Sequence, residues 1–124
     1  MNYILVGIGA AIGGTLRYWI SNIIYKILTE NFPYGTLLVN VIGSFILGLL
    51  MFYFNEKELL SPQLRLFLTM GFCAGFTTFS TFSYETINLF RETQYILGSL
   101  NILLNLILCL AGVSLAYLIS KLVG

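Results

Sequence analysis

Four long apolar stretches constrain the fold of this chain more than any other feature. They run from about Tyr3 to Leu28, Tyr34 to Phe54, Gln63 to Phe90 and Tyr95 to Leu122. A helix needs about 20 apolar residues to cross a bilayer, so each stretch is long enough to span a membrane. The sequence therefore predicts an all-α membrane protein with four transmembrane helices, forming a single domain over residues 1–124 with both ends on the same side.

The composition excludes several classes of function. Charged residues make up 9% of the chain, and it has no histidine and no aspartate. This removes Ser/His/Asp and Cys/His nucleophile arrangements and histidine metal sites, so no enzyme activity is expected. The six Lys and Arg residues are scattered and the net charge is +1, which predicts no nucleic-acid partner. Cys73 and Cys109 lie inside apolar stretches and are interpreted as packing residues rather than a disulfide.

Polar clusters mark the ends of the stretches. They are Thr29 to Asn31 before Pro33, Asn55 to Glu58, and Arg91 to Gln94. Ser61 followed by Pro62 is typical of a helix N-cap with proline in the first turn. The first stretch lacks a positively charged leader, so we interpret it as a retained span and not as a cleaved signal.

The distribution of Lys and Arg leaves the orientation in the membrane open. One side would hold Lys57, Arg65 and Lys121, and the other Lys26 and Arg91, with Arg17 inside the first span. One interpretation is a single orientation set by this small bias. The other is insertion both ways and antiparallel pairing, since a two-fold axis in the membrane plane demands opposite orientations.

Small residues four apart in the first span predict close helix packing. The pairs are Gly7 with Ala11, Gly9 with Gly13, and Ala10 with Gly14. Arg17 follows them, and an arginine inside a span usually faces protein or water. Structural anchoring and attraction of an anion are both consistent with its position.

The second span carries a polar face, because Asn40 and Ser44 are four residues apart and Gly48 continues the same row. An asparagine amide inside the membrane needs a hydrogen-bond partner. That partner is either a neighbouring helix or an anion that accepts from the NH₂ group.

The third span is the most informative. Its centre, residues 71–83, combines glycine, hydroxyl residues and phenylalanine, which are poor helix formers. A break in the helix there would expose carbonyl groups that could hold a cation, whereas a continuous helix would have its Ser and Thr bonded back to their own turn. Phe79 and Phe82 share a face, with Ser83 beside them, and either pack plainly or present positive ring edges to a small anion.

The fourth span carries a stripe of small and polar residues at helical spacing. Its members are Asn101, Asn105, Cys109, Gly112 and Ala116. The two asparagines would either complete a hydroxyl and amide track with residues of the third span or simply join helices. The residues of that track would be Ser80, Thr81 and Ser83.

Three segments together resemble the Fluc family of fluoride channels, also called the CrcB family. They are GGTLRY at 13–18, GTLLVNVIGSFILG at 35–48 and GFCAGFTTFSTFS at 71–83. The resemblance covers essentially the whole chain. It implies a passive, fluoride-specific channel in the bacterial cell membrane that relieves fluoride toxicity. It also implies an antiparallel dual-topology homodimer, with two pores lined by both subunits and surrounded by membrane lipid.

The resemblance further implies roles for individual residues. Asn40 matches the pore asparagine, and Phe79 and Phe82 match the phenylalanine pair that lines the pores. Ser80 and Thr81 match hydroxyls of the polar track, and Arg17 matches an arginine near the vestibule. The resemblance also implies that the third helix is broken near the middle of the membrane. The main-chain carbonyls of Ala74 and Thr77 at this break match the ligands of a structural Na⁺ at the dimer centre, where the family usually has glycine in place of Ala74. Ser83, Asn101 and Asn105 complete the candidate pore residues.

Two other functions deserve comparison. A small multidrug exporter also has four spans, but it needs a carboxylate inside its first span, and this chain has none there. An assembly subunit without transport activity would use every buried polar group to join helices. The polar and aromatic centre of the third span argues against that reading.

Overall fold

The fold is a bundle of four helical spans joined by short loops. The computed structural model describes residues 1–124. The first span is α1 (Asn2–Ile27), and the second is α2 (Tyr34–Leu49) continued by a π-helical segment, π1 (Leu50–Asn55). The fourth is α6 (Tyr95–Val123). All four spans are long and apolar enough to cross a membrane, which confirms the predicted all-helical membrane architecture.

The third span is built from several pieces. It begins as α3 (Pro62–Leu66), continues as the π-helical segment π2 (Phe67–Cys73) and the short turn α4 (Ala74–Phe76), and resumes as α5 (Phe79–Arg91). Ser61 caps α3 as expected, because its Oγ accepts a hydrogen bond from the Leu64 amide at 3.1 Å. Thr77 and Thr78 between α4 and α5 have extended backbones. The helix break predicted near the middle of the span is therefore confirmed.

Glycines set how closely α1 approaches the third span. A Cβ added to Gly9 would lie 2.5 Å from the Phe67 carbonyl oxygen, and one added to Gly75 would lie 2.6 Å from the Ala10 carbonyl oxygen. Gly13 is equally tight against Phe72. The predicted close packing holds for this face of α1, but Gly7 has no neighbour within 4 Å of an added Cβ. Gly7 and Ala11 are exposed on the outside of the bundle, so no other helix of this chain packs against this pair.

The second and fourth spans form the other closely packed pair. An added Cβ at Gly48 would lie 2.7 Å from the Ala116 Cβ, and one at Gly112 would lie 3.3 Å from the Val41 carbonyl oxygen. The small and polar stripe of α6 therefore faces the interior, as expected. Cys73 and Cys109 are both free cysteines.

The interior of the bundle is unusually polar, whereas its outside is apolar. Six buried side chains are polar: Thr36, Asn40, Thr86, Asn101, Asn105 and Ser120. Many large hydrophobic residues of the helices are exposed instead. This is the arrangement expected where lipid surrounds the protein, since polar groups must then find partners inside the protein.

Candidate functional site

The break in the third span frees main-chain carbonyls. In a continuous α-helix the Thr78 amide would donate to the Ala74 carbonyl, and the Thr81 amide to the Thr77 carbonyl. Instead, the Thr78 amide donates to Asn40 Oδ1 at 2.8 Å, and the Thr81 amide donates to Thr78 Oγ1 at 3.1 Å. The carbonyls of Ala74 and Thr77 thus lose their usual helical partners.

Asn40 braces the break from the second span. Its Oδ1 accepts from the Thr78 amide at 2.8 Å, and its Nδ2 donates to the Thr78 carbonyl at 3.2 Å. The side chain thereby pairs with both backbone groups of one residue, as a neighbouring strand would. The same Nδ2 also donates to Asn105 Oδ1 at 3.2 Å. Both hydrogens of the Asn40 amide therefore have acceptors inside this chain.

Arg17 secures the break from the first span. Its Nε donates to the Gly75 carbonyl at 3.1 Å. In a continuous helix that carbonyl would accept from the Phe79 amide. The structure thus brings Arg17 to the break, in the anchoring arrangement considered from the sequence, while the groove described next is lined by other residues.

An open groove of about 880 Å³ runs along the break, between the second, third and fourth spans. Its polar lining comes mainly from Asn40, Ser44, Thr77, Thr78 and Asn105, and none of its lining residues is charged. The rest of the lining is mostly apolar. Such a surface presents polar side chains to an ion without a fixed charge that would hold it tightly.

Phe79 and Phe82 lie together on the wall of this groove. Their ring centroids are 5.4 Å apart and the rings are tilted by 50°. Phe79 is 79% exposed at the edge of the groove. Both rings can therefore contact an ion in the groove or a protein surface that covers it.

The two asparagines of α6 continue inward from Asn40 as a chain of hydrogen bonds. Asn105 Nδ2 donates to Asn101 Oδ1 at 3.0 Å and to the Asn101 carbonyl at 2.9 Å. Asn101 Nδ2 donates to Thr86 Oγ1 at 2.8 Å, and Thr86 Oγ1 donates to the Phe82 carbonyl at 2.8 Å. Asn105 lines the groove, whereas Asn101 is fully buried behind it.

Ser80, Thr81 and Ser83 lie apart from these asparagines. Ser80 Oγ and Thr81 Oγ1 both bond to Thr78 Oγ1, at 3.3 and 3.1 Å, and Ser83 Oγ donates to the Phe79 carbonyl at 2.9 Å. The track expected with Asn101 and Asn105 is therefore absent within one chain. For Ser80 and Thr81 the reason is helical geometry, because a rotation of about 100° per residue turns them away from the face that carries Phe82 and Thr86. Ser83 is instead engaged by the carbonyl of its own turn.

Two threonines of the site were missed by the sequence reasoning. Thr78 pairs with Asn40 through its backbone and caps α5 through its side chain. Thr86 ends the chain of hydrogen bonds that starts at Asn40. The spacing of four residues from Thr78 to Phe82 and again to Thr86 places them in one row of α5, which is the signal that could have identified Thr86.

Comparison with known proteins agrees with the resemblance found in the sequence. Residues 4–117 match the family model described as "CrcB-like protein, Camphor Resistance (CrcB)". The chain is 47% identical over 107 residues to a protein of Geotalea daltonii named fluoride-specific ion channel FluC, with 86% of each chain covered. It is 48% identical over 120 residues to the protein of that name in Clostridium novyi, covering 97% of this chain and 94% of the relative.

A third relative supports the same assignment. The chain is 43% identical over 121 residues to the fluoride-specific ion channel FluC of Ruminiclostridium cellulolyticum, covering 98% of this chain and 93% of the relative. The matched region covers 98% of this chain and therefore takes in all four spans. On this agreement of sequence and geometry, the chain belongs to the CrcB family.

Proposed function

We propose that this chain forms a passive, fluoride-specific channel that spans the cell membrane several times and lets cytoplasmic fluoride leave. The observation that carries the proposal is the uncharged groove at the helix break, lined by Asn40, Phe79 and Phe82. The relatives named as fluoride-specific ion channels support it, since they match 86% or more of the chain.

The polar and aromatic lining of the groove suits a small anion that binds weakly and is released again. Ion conduction requires binding that is strong enough for entry and weak enough for exit. Amide hydrogens and the positive edges of aromatic rings attract an anion without fixed charge, and Asn40, Phe79 and Phe82 supply such groups. A lysine or arginine at the same place would bind fluoride much more tightly and slow its release.

We propose that two copies of the chain assemble as an antiparallel homodimer. The groove is open along one side, and an ion there would face the hydrocarbon of the lipid. Exposed side chains border the opening, with Met70 at 61% and Phe79 at 79%. A second copy would cover them and close the pathway. The near balance of Lys and Arg on the two sides is compatible with both orientations.

We further propose that a structural Na⁺ is held by the carbonyls of Ala74 and Thr77 where two copies meet. Na⁺ is a hard cation that prefers oxygen ligands, and these carbonyls lack their usual helical donors because the amides of Thr78 and Thr81 bond elsewhere. Ala74 is exposed, with φ −66° and ψ −35°. That conformation is as accessible to alanine as to glycine, so alanine at position 74 fits the site.

Fluoride efflux from liposomes tests the proposed function. The purified protein is reconstituted in vesicles loaded with fluoride or chloride, and release is followed with ion-selective electrodes after a K⁺ ionophore is added. We expect rapid release of fluoride and little release of chloride. Equal release of both anions, or release of neither above that of protein-free vesicles, would reject a fluoride-specific channel.

A further inference from the structure

The Asn40 amide, the strongest candidate for an anion donor in the groove, is already occupied. One of its hydrogens is directed to the Thr78 carbonyl and the other to Asn105 Oδ1, both at 3.2 Å. An amide nitrogen carries two hydrogens, so an anion can accept from Asn40 only where one of these acceptors is displaced. Thr78 O is a backbone atom whose residue is also bonded through its amide. Asn105 Oδ1 belongs to a side chain on the groove wall and is the acceptor more easily displaced.

The orientation of the Asn105 amide is fixed from behind. Its Nδ2 donates to both the side-chain and the main-chain oxygen of Asn101. A rotation that exchanged Nδ2 and Oδ1 would bring the Asn105 oxygen within about 3 Å of the Asn101 carbonyl oxygen, and two acceptors in contact repel. Asn101 is in turn held by its bond to Thr86. The oxygen of Asn105 therefore faces Asn40.

We propose that Asn105 is an internal acceptor that competes with fluoride for the amide hydrogen of Asn40, and that Asn101 and Thr86 are positioning residues that keep it in place. The proposal rests on the proposed channel function and specifies how one of its binding sites is weakened. Each arriving fluoride must break the bond between Asn40 and Asn105, and that bond re-forms when the fluoride leaves. The free energy of fluoride binding is thus reduced by a constant amount, which favours release.

This mechanism predicts a change in apparent affinity without a change in selectivity. Breaking the Asn40–Asn105 bond costs the same free energy whichever anion enters, so its removal strengthens the binding of fluoride and chloride by the same factor. The net stabilisation of a neutral hydrogen bond corresponds to a factor of about 2 to 10 in a binding constant. A residue that only supported the fold would instead lower flux without increasing affinity.

The test is Asn105→Leu, which removes the acceptor and retains a similar side-chain volume. Initial fluoride efflux from liposomes is measured against the internal fluoride concentration, with Ser114→Leu as the control, because Ser114 lies on the same helix and is exposed. We expect the half-saturating fluoride concentration of Asn105→Leu to fall by a factor of about 2 to 10, with an unchanged ratio of fluoride to chloride flux. The control should match the wild type.

The outcomes separate this inference from the proposed function. Wild-type protein that releases no fluoride would overturn both. Wild-type protein that conducts fluoride, with a half-saturating concentration unchanged or raised in Asn105→Leu, would overturn only the competition. If Asn105→Leu does not fold, Asn101→Leu decides the question. It should lower the half-saturating concentration less, since the Asn101 carbonyl still holds Asn105, and an unchanged or raised value would reject the proposal.

Discussion

Replacing Gly13 by alanine should destabilise the packing of α1 against the third span. The added Cβ would overlap the Phe72 carbonyl oxygen and lie 2.9 Å from the Phe76 nitrogen. Both are backbone atoms, so no side chain can rotate to make room and the two helices must separate slightly. Gly7 provides the matched control on the same helix, because no atom lies within 4 Å of a Cβ added there.

The expected magnitude follows from two opposing contributions. Overpacking in a tightly packed interior costs about 1–3 kcal/mol, while alanine stabilises a helix by about 0.5–1 kcal/mol relative to glycine. Both variants gain the second contribution, so it cancels in their difference. We therefore expect Gly13→Ala to be about 1–3 kcal/mol less stable than Gly7→Ala. Gly7→Ala itself should be as stable as the wild type or slightly more stable.

Unfolding in detergent provides the measurement. Protein in mild micelles is titrated with dodecyl sulfate, and the fluorescence of Trp19, the only tryptophan of the chain, reports on α1. Trp19 lies beyond Gly13 on α1 and is 59% exposed, so neither substitution changes its immediate neighbours. Equal unfolding midpoints for Gly13→Ala and Gly7→Ala would refute the argument that backbone contact sets the approach of these helices.

Three further predictions concern the site. Asn40→Leu removes the brace and leaves the Thr78 amide without its acceptor, so it should lower stability by about 1–3 kcal/mol and abolish fluoride efflux. Unchanged unfolding would contradict the brace. Phe82→Ile should impair efflux while the protein stays folded, as judged by size-exclusion chromatography, whereas Phe52→Ile, whose ring packs on Tyr117, should retain efflux. Normal efflux in the first variant would remove Phe82 from the pathway. Replacing Na⁺ by N-methylglucamine should lower the thermal stability of the reconstituted dimer, and identical melting in both cations would reject the cation site.

The residues alone predicted the four spans, but they left a broken and a continuous third span open, and the resemblance to the CrcB family was needed to favour the break. Each span reflects a long apolar stretch, and the structure begins and ends these helices close to the expected residues. The break lies at Thr77 and Thr78, inside the segment of poor helix formers near the middle of the span. Two side chains that stabilise it, Asn40 and Arg17, were already candidates for the site. The antiparallel pairing remains a prediction.

The partners of the polar groups could not be predicted in the same way. The extended backbone at the break changes the rotation of α5 relative to α4, so the face that carries each hydroxyl cannot be extrapolated across it. Within α5, about 100° of rotation per residue places Thr86 on a different face from Ser80 and Thr81, and Thr86 is the residue that bonds to Asn101 of α6. The sequence also did not predict the π-helical segments Leu50–Asn55 and Phe67–Cys73. The composition of an apolar stretch does not distinguish a π-helix from an α-helix.

The position of the break has a consequence for symmetry. Thr77 and Thr78 lie near the middle of the span Pro62–Arg91. When a helix is turned upside down in a membrane, every residue changes depth except those at its centre. In an antiparallel pair, the interruption is therefore the one part of the third span that meets its own counterpart at the same depth. In such a pair, a substitution at the break would act twice at the same depth, once in each copy.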